Sequence, residues 1–164
     1  MALREVDLRS VPLSAVMTRG PATVEEAAPL ADAAAEMAAG GFRHLPVVDA
    51  TGRLVGMVSE RDLRARLGTD VHGFAGATVD ALAEVVTEVM TPDPIALPPT
   101  ATLAQALEVF ADDRVGAIPV VDDGERPVGI VSYVDLLGMI RELSEIAARK
   151  LAAVESLSES WREE

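Results

Sequence analysis

Apolar positions along the chain fall into short blocks whose period alternates between that of a strand and that of a helix. The segment Ala22–Val24 predicts a small strand, and residues 29–39, rich in alanine and free of internal Gly or Pro, predict a helix. Two apolar runs follow, Leu45–Val48 and Leu54–Val58, joined by the turn-forming Asp49-Ala50-Thr51-Gly52, so a hairpin is predicted there. A second helix is predicted from about Glu60. The order strand, helix, strand, strand, helix gives a small mixed sheet with one face uncovered. The same order returns downstream, with a strand at Ile95–Leu97 and a helix at about 102–112.

That return is a duplication. Pro46-Val47-Val48-Asp49 recurs as Pro119-Val120-Val121-Asp122, an offset of 73 residues (119 − 46 = 73). The same offset carries Val16-Met17-Thr18 onto Val89-Met90-Thr91, Val55-Gly56 onto Val128-Gly129, and Ser59-x-x-Asp62-Leu63 onto Ser132-x-x-Asp135-Leu136, with no insertion between them. Between 16–64 and 89–137, 20 of the 49 positions are identical, and many mismatches are apolar exchanges such as Leu45/Ile118 and Met57/Ile130. Each copy is the natural cover for the other's open face. The fold class expected is α/β (α+β), with repeat 1 over 10–67, a linker with a helix over 68–88, repeat 2 over 89–141 and a helical tail over 142–164. The linker reads as a glycine-containing loop (Gly68, Gly73, Gly76) followed by an apolar-periodic helix, Val79–Val89. In the tail, Ile140, Leu143, Ala147, Leu151, Val154 and Trp161 recur mostly at steps of three to four, which makes an amphipathic helix. Its apolar face suits either the module's own flank or a contact with a second copy or another partner.

Composition narrows the function. Apolar residues make up 49% of the 164, enough for a core, but aromatics are only 3%, so the interior is aliphatic. A formal net charge of −13 repels phosphate backbones and anionic membrane surfaces, which sets nucleic acids and membranes aside as main partners. Without cysteine there is no disulfide, thiolate nucleophile or Cys-based zinc site, and only His44 and His72 could serve a triad or metal centre. The N-terminal residues lack a secretion-signal core and no run of ~18 apolar residues exists, so a soluble cytoplasmic protein is expected. No nucleophile–base pairing or Walker loop occurs, and the one lysine, Lys150, is in the tail; no enzyme and no catalytic cofactor are expected.

The repeated elements Gly41-Phe42-Arg43-His44-Leu45-Pro46-Val47-Val48-Asp49 and Gly56-Met57-Val58-Ser59-Glu60-Arg61-Asp62-Leu63, with their second copies Val115–Asp122 and Gly129–Leu136, resemble a tandem pair of CBS domains, the Bateman module. The resemblance spans about 10–141. It implies two β-α-β-β-α repeats related by a pseudo-two-fold axis, ligand clefts between them, a regulatory module of the stand-alone class and a homodimer. Family ligands are AMP, ADP, ATP, NAD or S-adenosylmethionine. On the first copy it points to Thr23, Val24, Phe42, Arg43, His44, Pro46, Ser59, Arg61 and Asp62 as ligand-binding. On the second it points to Ala96, Leu97, Val115, Ala117, Ile118, Pro119, Ser132, Tyr133 and Asp135.

The chemistry of these residues admits two uses throughout. Ser-x-x-Asp at a strand-to-helix junction is a capping box, yet its carboxylate also suits vicinal ribose hydroxyls and its helix start suits phosphate. Arg43, Arg61 and Arg64 either pair with neighbouring acids or fork onto phosphate oxygens, Arg61 being the best placed; His44 either packs or senses. Val24, Phe42, Leu97, Val115 and Ile118 would wall an adenine or simply form core, and Tyr133 would stack or pack. Because Val134 stands for Arg61, Ala117 for His44 and Ala96 for Thr23, the two sites are expected to be unequal. Glu25-Glu26 and Asp112-Asp113 would repel a triphosphate lacking Mg²⁺, which favours AMP or ADP over ATP. The alternative is a ligand-free pair that works as a scaffold through dimerisation and its tail helix on a downstream protein target the sequence does not name.

Overall fold

The computed structural model describes residues 7–68 and 77–160. The chain divides into two compact units, Met1–Val131 and Ser132–Glu164. The first contains β1 (Thr18–Arg19), β2 (Val24–Glu25), α1 (Leu30–Gly40), β3 (His44–Val48), β4 (Leu54–Ser59), α2 (Glu60–Leu67), α3 (Val79–Ala83), β5 (Thr91–Pro92), α4 (Leu103–Asp113), β6 (Ala117–Val121) and nearly all of β7 (Pro127–Ser132). The second is built on one helix, α5 (Tyr133–Ser160).

Local chemistry explains the main elements. Helix α1 stops where Gly41 turns left-handed (φ 68°) and its N–H returns to the Met37 carbonyl. Helix α4 starts on a Thr102–Gln105 capping box. Strands β3 and β4 pair antiparallel from His44↔Ser59 to Val48↔Leu54, with a bulge at Val47/Val48. The turn between them is tied by the Asp49 carboxylate, which accepts from the Thr51 and Arg53 amides at 2.8 and 3.0 Å.

The strands form two sheets, ordered β2-β3-β4-β5 and β1-β7-β6. Strand β1, in the leading segment of repeat 1, pairs with β7 of repeat 2 (Thr18↔Ile130), while β5, in the leading segment of repeat 2, pairs with β4 of repeat 1 (Met57↔Thr91). The two leading segments are thus exchanged, and the exchange obeys the same 73-residue offset bond for bond. The Leu13 amide donates to Ala101 O and Val86 to Ala28 O; Leu103 donates to Val11 O and Leu30 to Glu84 O. Met17 packs against Gly129 and Met90 against Gly56, each thioether lying where a side chain at the glycine would stand. Val86 accordingly joins the core of repeat 1, with Val24, Leu30, Ala33, Met37, Leu45, Val47, Val58 and Leu63.

Two expectations are corrected. The strand at Ile95–Leu97 reduces to one parallel bridge, Leu97↔Val120, because Pro94 and Pro98 on either side offer no amide to a ladder. The linker helix ends at Ala83 rather than Val89. Glu84 is extended (φ −60°, ψ 150°) so that its carbonyl can receive the Leu30 amide at 2.7 Å, and only a 3-10 turn, Val86–Glu88, follows. The expected C-terminal helix is present, α5 running unbroken through residues 141 and 142. Leu143, Ala147, Leu151 and Val154 fall on α5, and Gly73, Gly76 and Trp161 lie outside the described residues.

Candidate functional site

The end of β4 and the start of α2 bring the first set of residues together. Ser59 caps α2: its hydroxyl accepts from the Asp62 amide at 3.2 Å, and Asp62 Oδ2 accepts from the Ser59 amide (2.8 Å) and hydroxyl (2.6 Å). All of these bonds fall on one carboxylate oxygen. Asp62 Oδ1 has no partner among the described residues, so capping leaves half of a half-buried carboxylate able to accept from two adjacent hydroxyls.

Strand β3 begins beside this junction. The Arg43 carbonyl accepts from the Glu60 amide at 2.8 Å, tying the start of β3 to the first turn of α2. Glu60 also holds two guanidinium groups, Arg43 at 3.9 Å and Arg64 in an i,i+4 pair. Arg61 is exposed and pairs with none of the described residues. His44, half-buried, reaches across to repeat 2, its ring lying over Gly116 where any Cβ would collide with it. Burial holds the imidazole pKa below its ordinary value, with Arg43 acting in the same direction and Asp62 and Glu60 opposing.

The other assigned residues sort by exposure. Thr23 is exposed, and Phe42, 40% exposed, donates its amide to the Met37 carbonyl while its ring covers Gly40. Val24, Pro46, Ala117, Ile118 and Pro119 are buried within strands; Ala96, Leu97 and Val115 are half-buried. In the second unit, Asp135 Oδ2 accepts from the Ser132 amide (3.2 Å) and hydroxyl (2.5 Å), the same cap in an exposed setting, with Tyr133 44% exposed beside it. Two residues that sequence reasoning missed shape the site. Glu60 was legible as the i,i+4 partner of Arg64, but Gly116 gave no signal, because its role depends on a side chain 72 residues away.

Among the described residues no cluster of His, Cys, Asp or Glu could hold a metal ion, and no helix is long and apolar enough to cross a membrane.

The same Ser-x-x-Asp cap follows β4 in the first copy and β7 in the second, and comparison with known proteins gives the family. The CBS domain profile matches residues 13–69 and 86–142, and the chain belongs to the CBS domain family as a tandem pair. It is 32% identical over 114 residues to the uncharacterized protein MJ1404 of Methanocaldococcus jannaschii, covering 70% of this chain. The chain spans a quarter to about half the length of curated relatives such as this one. Among solved structures, the CBS domain pair of MJ0100 with 5'-methylthioadenosine and S-adenosyl-L-methionine superposes with a TM-score of 0.69 (23% identity, 80% of this chain, 97% of that one). CBSX2 in complex with AMP superposes with a TM-score of 0.68 (23% identity, 82% and 99%). At that identity the likeness is one of fold.

Proposed function

We propose that this CBS pair is a non-catalytic cytoplasmic sensor that binds an adenine nucleotide, AMP or ADP in preference to ATP, NAD or S-adenosylmethionine. The observation that carries the reading is Asp62. Its Oδ2 is engaged by the cap, while its Oδ1, and the neighbouring Arg61, have no partner among the described residues. A ribose would place two hydroxyls on Oδ1 while the guanidinium meets a phosphate. The AMP of CBSX2 and the adenosine derivatives of MJ0100 support the ligand class. The exposed acids Glu25, Asp112 and Asp113 support the lower phosphate count, ATP needing Mg²⁺ to offset their repulsion. Bound ligand would favour one arrangement of the repeats and so pass a signal to a partner protein.

Thermal melting against AMP, ADP, ATP with and without Mg²⁺, NAD, S-adenosylmethionine and adenosine tests this. A ligand at 100 times its Kd adds ~2.7 kcal/mol to the native state. A selective shift that Asp62→Ala abolishes is expected; no shift with any adenine ligand overturns the reading. The second reading, a ligand-free homodimeric scaffold, draws on α5, where Val134, Leu137 and Ile140 are 49%, 60% and 53% exposed. Truncation after Arg141 followed by light scattering tests it, an unchanged mass removing the tail from any dimer contact.

A further inference from the structure

We infer that Glu60 sets the ligand charge accepted at the first repeat, by engaging Arg43 and Arg64 with its own carboxylate. The inference rests on the nucleotide reading above and goes further in naming what a phosphate must displace. Two guanidinium groups, Arg43 and Arg64, pair with Glu60 at this end of β3 and α2, and the exposed Arg61 stands between Glu60 and Asp62 in sequence on the first turn of α2. The Glu60 side chain is 20% exposed, while those of Arg43 and Arg64 are 69% and 55% exposed. The acid is therefore the shielded centre of the cluster, and the arginines lie over it from the solvent side. A phosphate arriving from water meets Arg61 directly but must draw Arg43 and Arg64 off Glu60. A neutral nucleoside contests neither pair.

The duplication supports a shared purpose for the three. At the 73-residue offset Glu60 is matched by Tyr133, Arg43 by Gly116 and Arg64 by Leu137, so the acid and both its cations are absent together from the second copy. Arginines kept for packing or solubility alone would not need to come and go with one particular glutamate.

Glu60→Gln keeps the shape and leaves the Ser59–Asp62 cap in place, so the fold should stand; Glu60→Ala serves as a second variant, and melting curves check both. By calorimetry AMP should bind Glu60→Gln about five- to tenfold more tightly than the parent, with adenosine unchanged within about twofold, the range expected when two partly exposed ion pairs cease to compete. Glu84→Gln makes the same change in net charge but breaks the pair with Arg66 instead, so it should leave AMP affinity unchanged. Equal changes for AMP and adenosine, weaker AMP binding to Glu60→Gln, or an equal gain in Glu84→Gln would each overturn the inference.

Inorganic pyrophosphate, titrated against the Nε–H resonances of Arg43 and Arg64, separates this result from the nucleotide reading. If neither AMP nor adenosine binds any variant, the nucleotide reading fails. Tighter pyrophosphate on Glu60→Gln still supports the role of Glu60, and unchanged pyrophosphate refutes it.

Discussion

The exchange of leading segments makes an unusual demand on where damage should spread. Leu13 is fully buried, and although it stands in the leading segment of repeat 1 its amide bonds to Ala101 of repeat 2 at 2.7 Å. Truncation to alanine removes about three methylene equivalents, ~2.4 kcal/mol at ~0.8 each. The cavity left in a site with no exposure brings the total to about 3–4 kcal/mol. For a chain of this size that lowers Tm by about 6–16 °C, at ~2–4 °C per kcal/mol. Val86 is the offset partner, also fully buried, and Val86→Ala should cost about 2 kcal/mol. The location of the effect discriminates more sharply than its size. Hydrogen exchange read by mass spectrometry should show Leu13→Ala loosening α4, β6 and β7 more than α1, β3 and β4, and Val86→Ala doing the reverse. The opposite distribution, in which each truncation loosens the repeat that follows it in sequence, would refute the exchange.

Other outcomes follow from single residues. Arg114 caps α4 in the left-handed region (φ 54°) at the offset position of Gly41; Arg114→Gly should raise stability by about 0.5–1 kcal/mol, and a lower urea midpoint would show that the arginine side chain outweighs the strain. Burial lowers the His44 pKa in the fold, against a pull from Asp62 and Glu60 that Arg43 resists, whereas the unfolded chain takes up a proton near 6.5. The unfolded state then binds more protons just below that pH, so stability is lost as pH falls from 6.5 toward the lower folded pKa. His44→Gln should flatten the change in urea midpoint between about pH 7 and 5.5, and equal slopes in both proteins would count against it; Asp49, held low chiefly by the Thr51 hydroxyl, acts only below its ordinary 3.8. Arg61→Ala should weaken AMP by about tenfold and adenosine by much less, and equal losses would mean that Arg61 does not meet the phosphate.

What the sequence could reveal depended on whether the deciding interaction was local. Helices α1 and α4 begin and end one residue after their predicted bounds, since alanine-rich runs and nearby caps determine them. The Ser59–Asp62 and Ser132–Asp135 caps were equally legible, being contacts across three residues. The exchange was not, for a reason inherent in duplication: Val-Met-Thr is identical in both leading segments, so pairing each with its own repeat or with the other satisfies the same pattern. The break at Glu84 was hidden likewise, because its cause is the amide of Leu30, far away in sequence. The seat of His44 on Gly116 belongs with these, as an absence of side chain matched to a distant ring.

The two copies separate positions that hold the fold from positions free to differ. Where strands cross or thioethers pack, the offset pairs are identical or apolar: Met17/Met90, Gly56/Gly129, Val47/Val120, Leu13/Val86. At the ends of β3 and β4 and on the first turns of the following helix, the charged or titratable groups other than Asp62, which Asp135 matches, have been replaced, Arg43 by Gly116, His44 by Ala117, Glu60 by Tyr133, Arg61 by Val134 and Arg64 by Leu137. Burial cannot account for this pattern, because Arg43, Arg61 and Arg64 are exposed and so are Tyr133, Val134 and Leu137. Exposed apolar groups in place of exposed charges gain nothing from solvent; they are favourable only against another surface or an uncharged ligand. The first copy therefore presents chemistry suited to an anion, and the second presents chemistry suited to an apolar or uncharged contact. Binding phosphate tightly at both would require restoring at least one cation to the second, and Val134→Arg is the substitution that the duplication itself suggests.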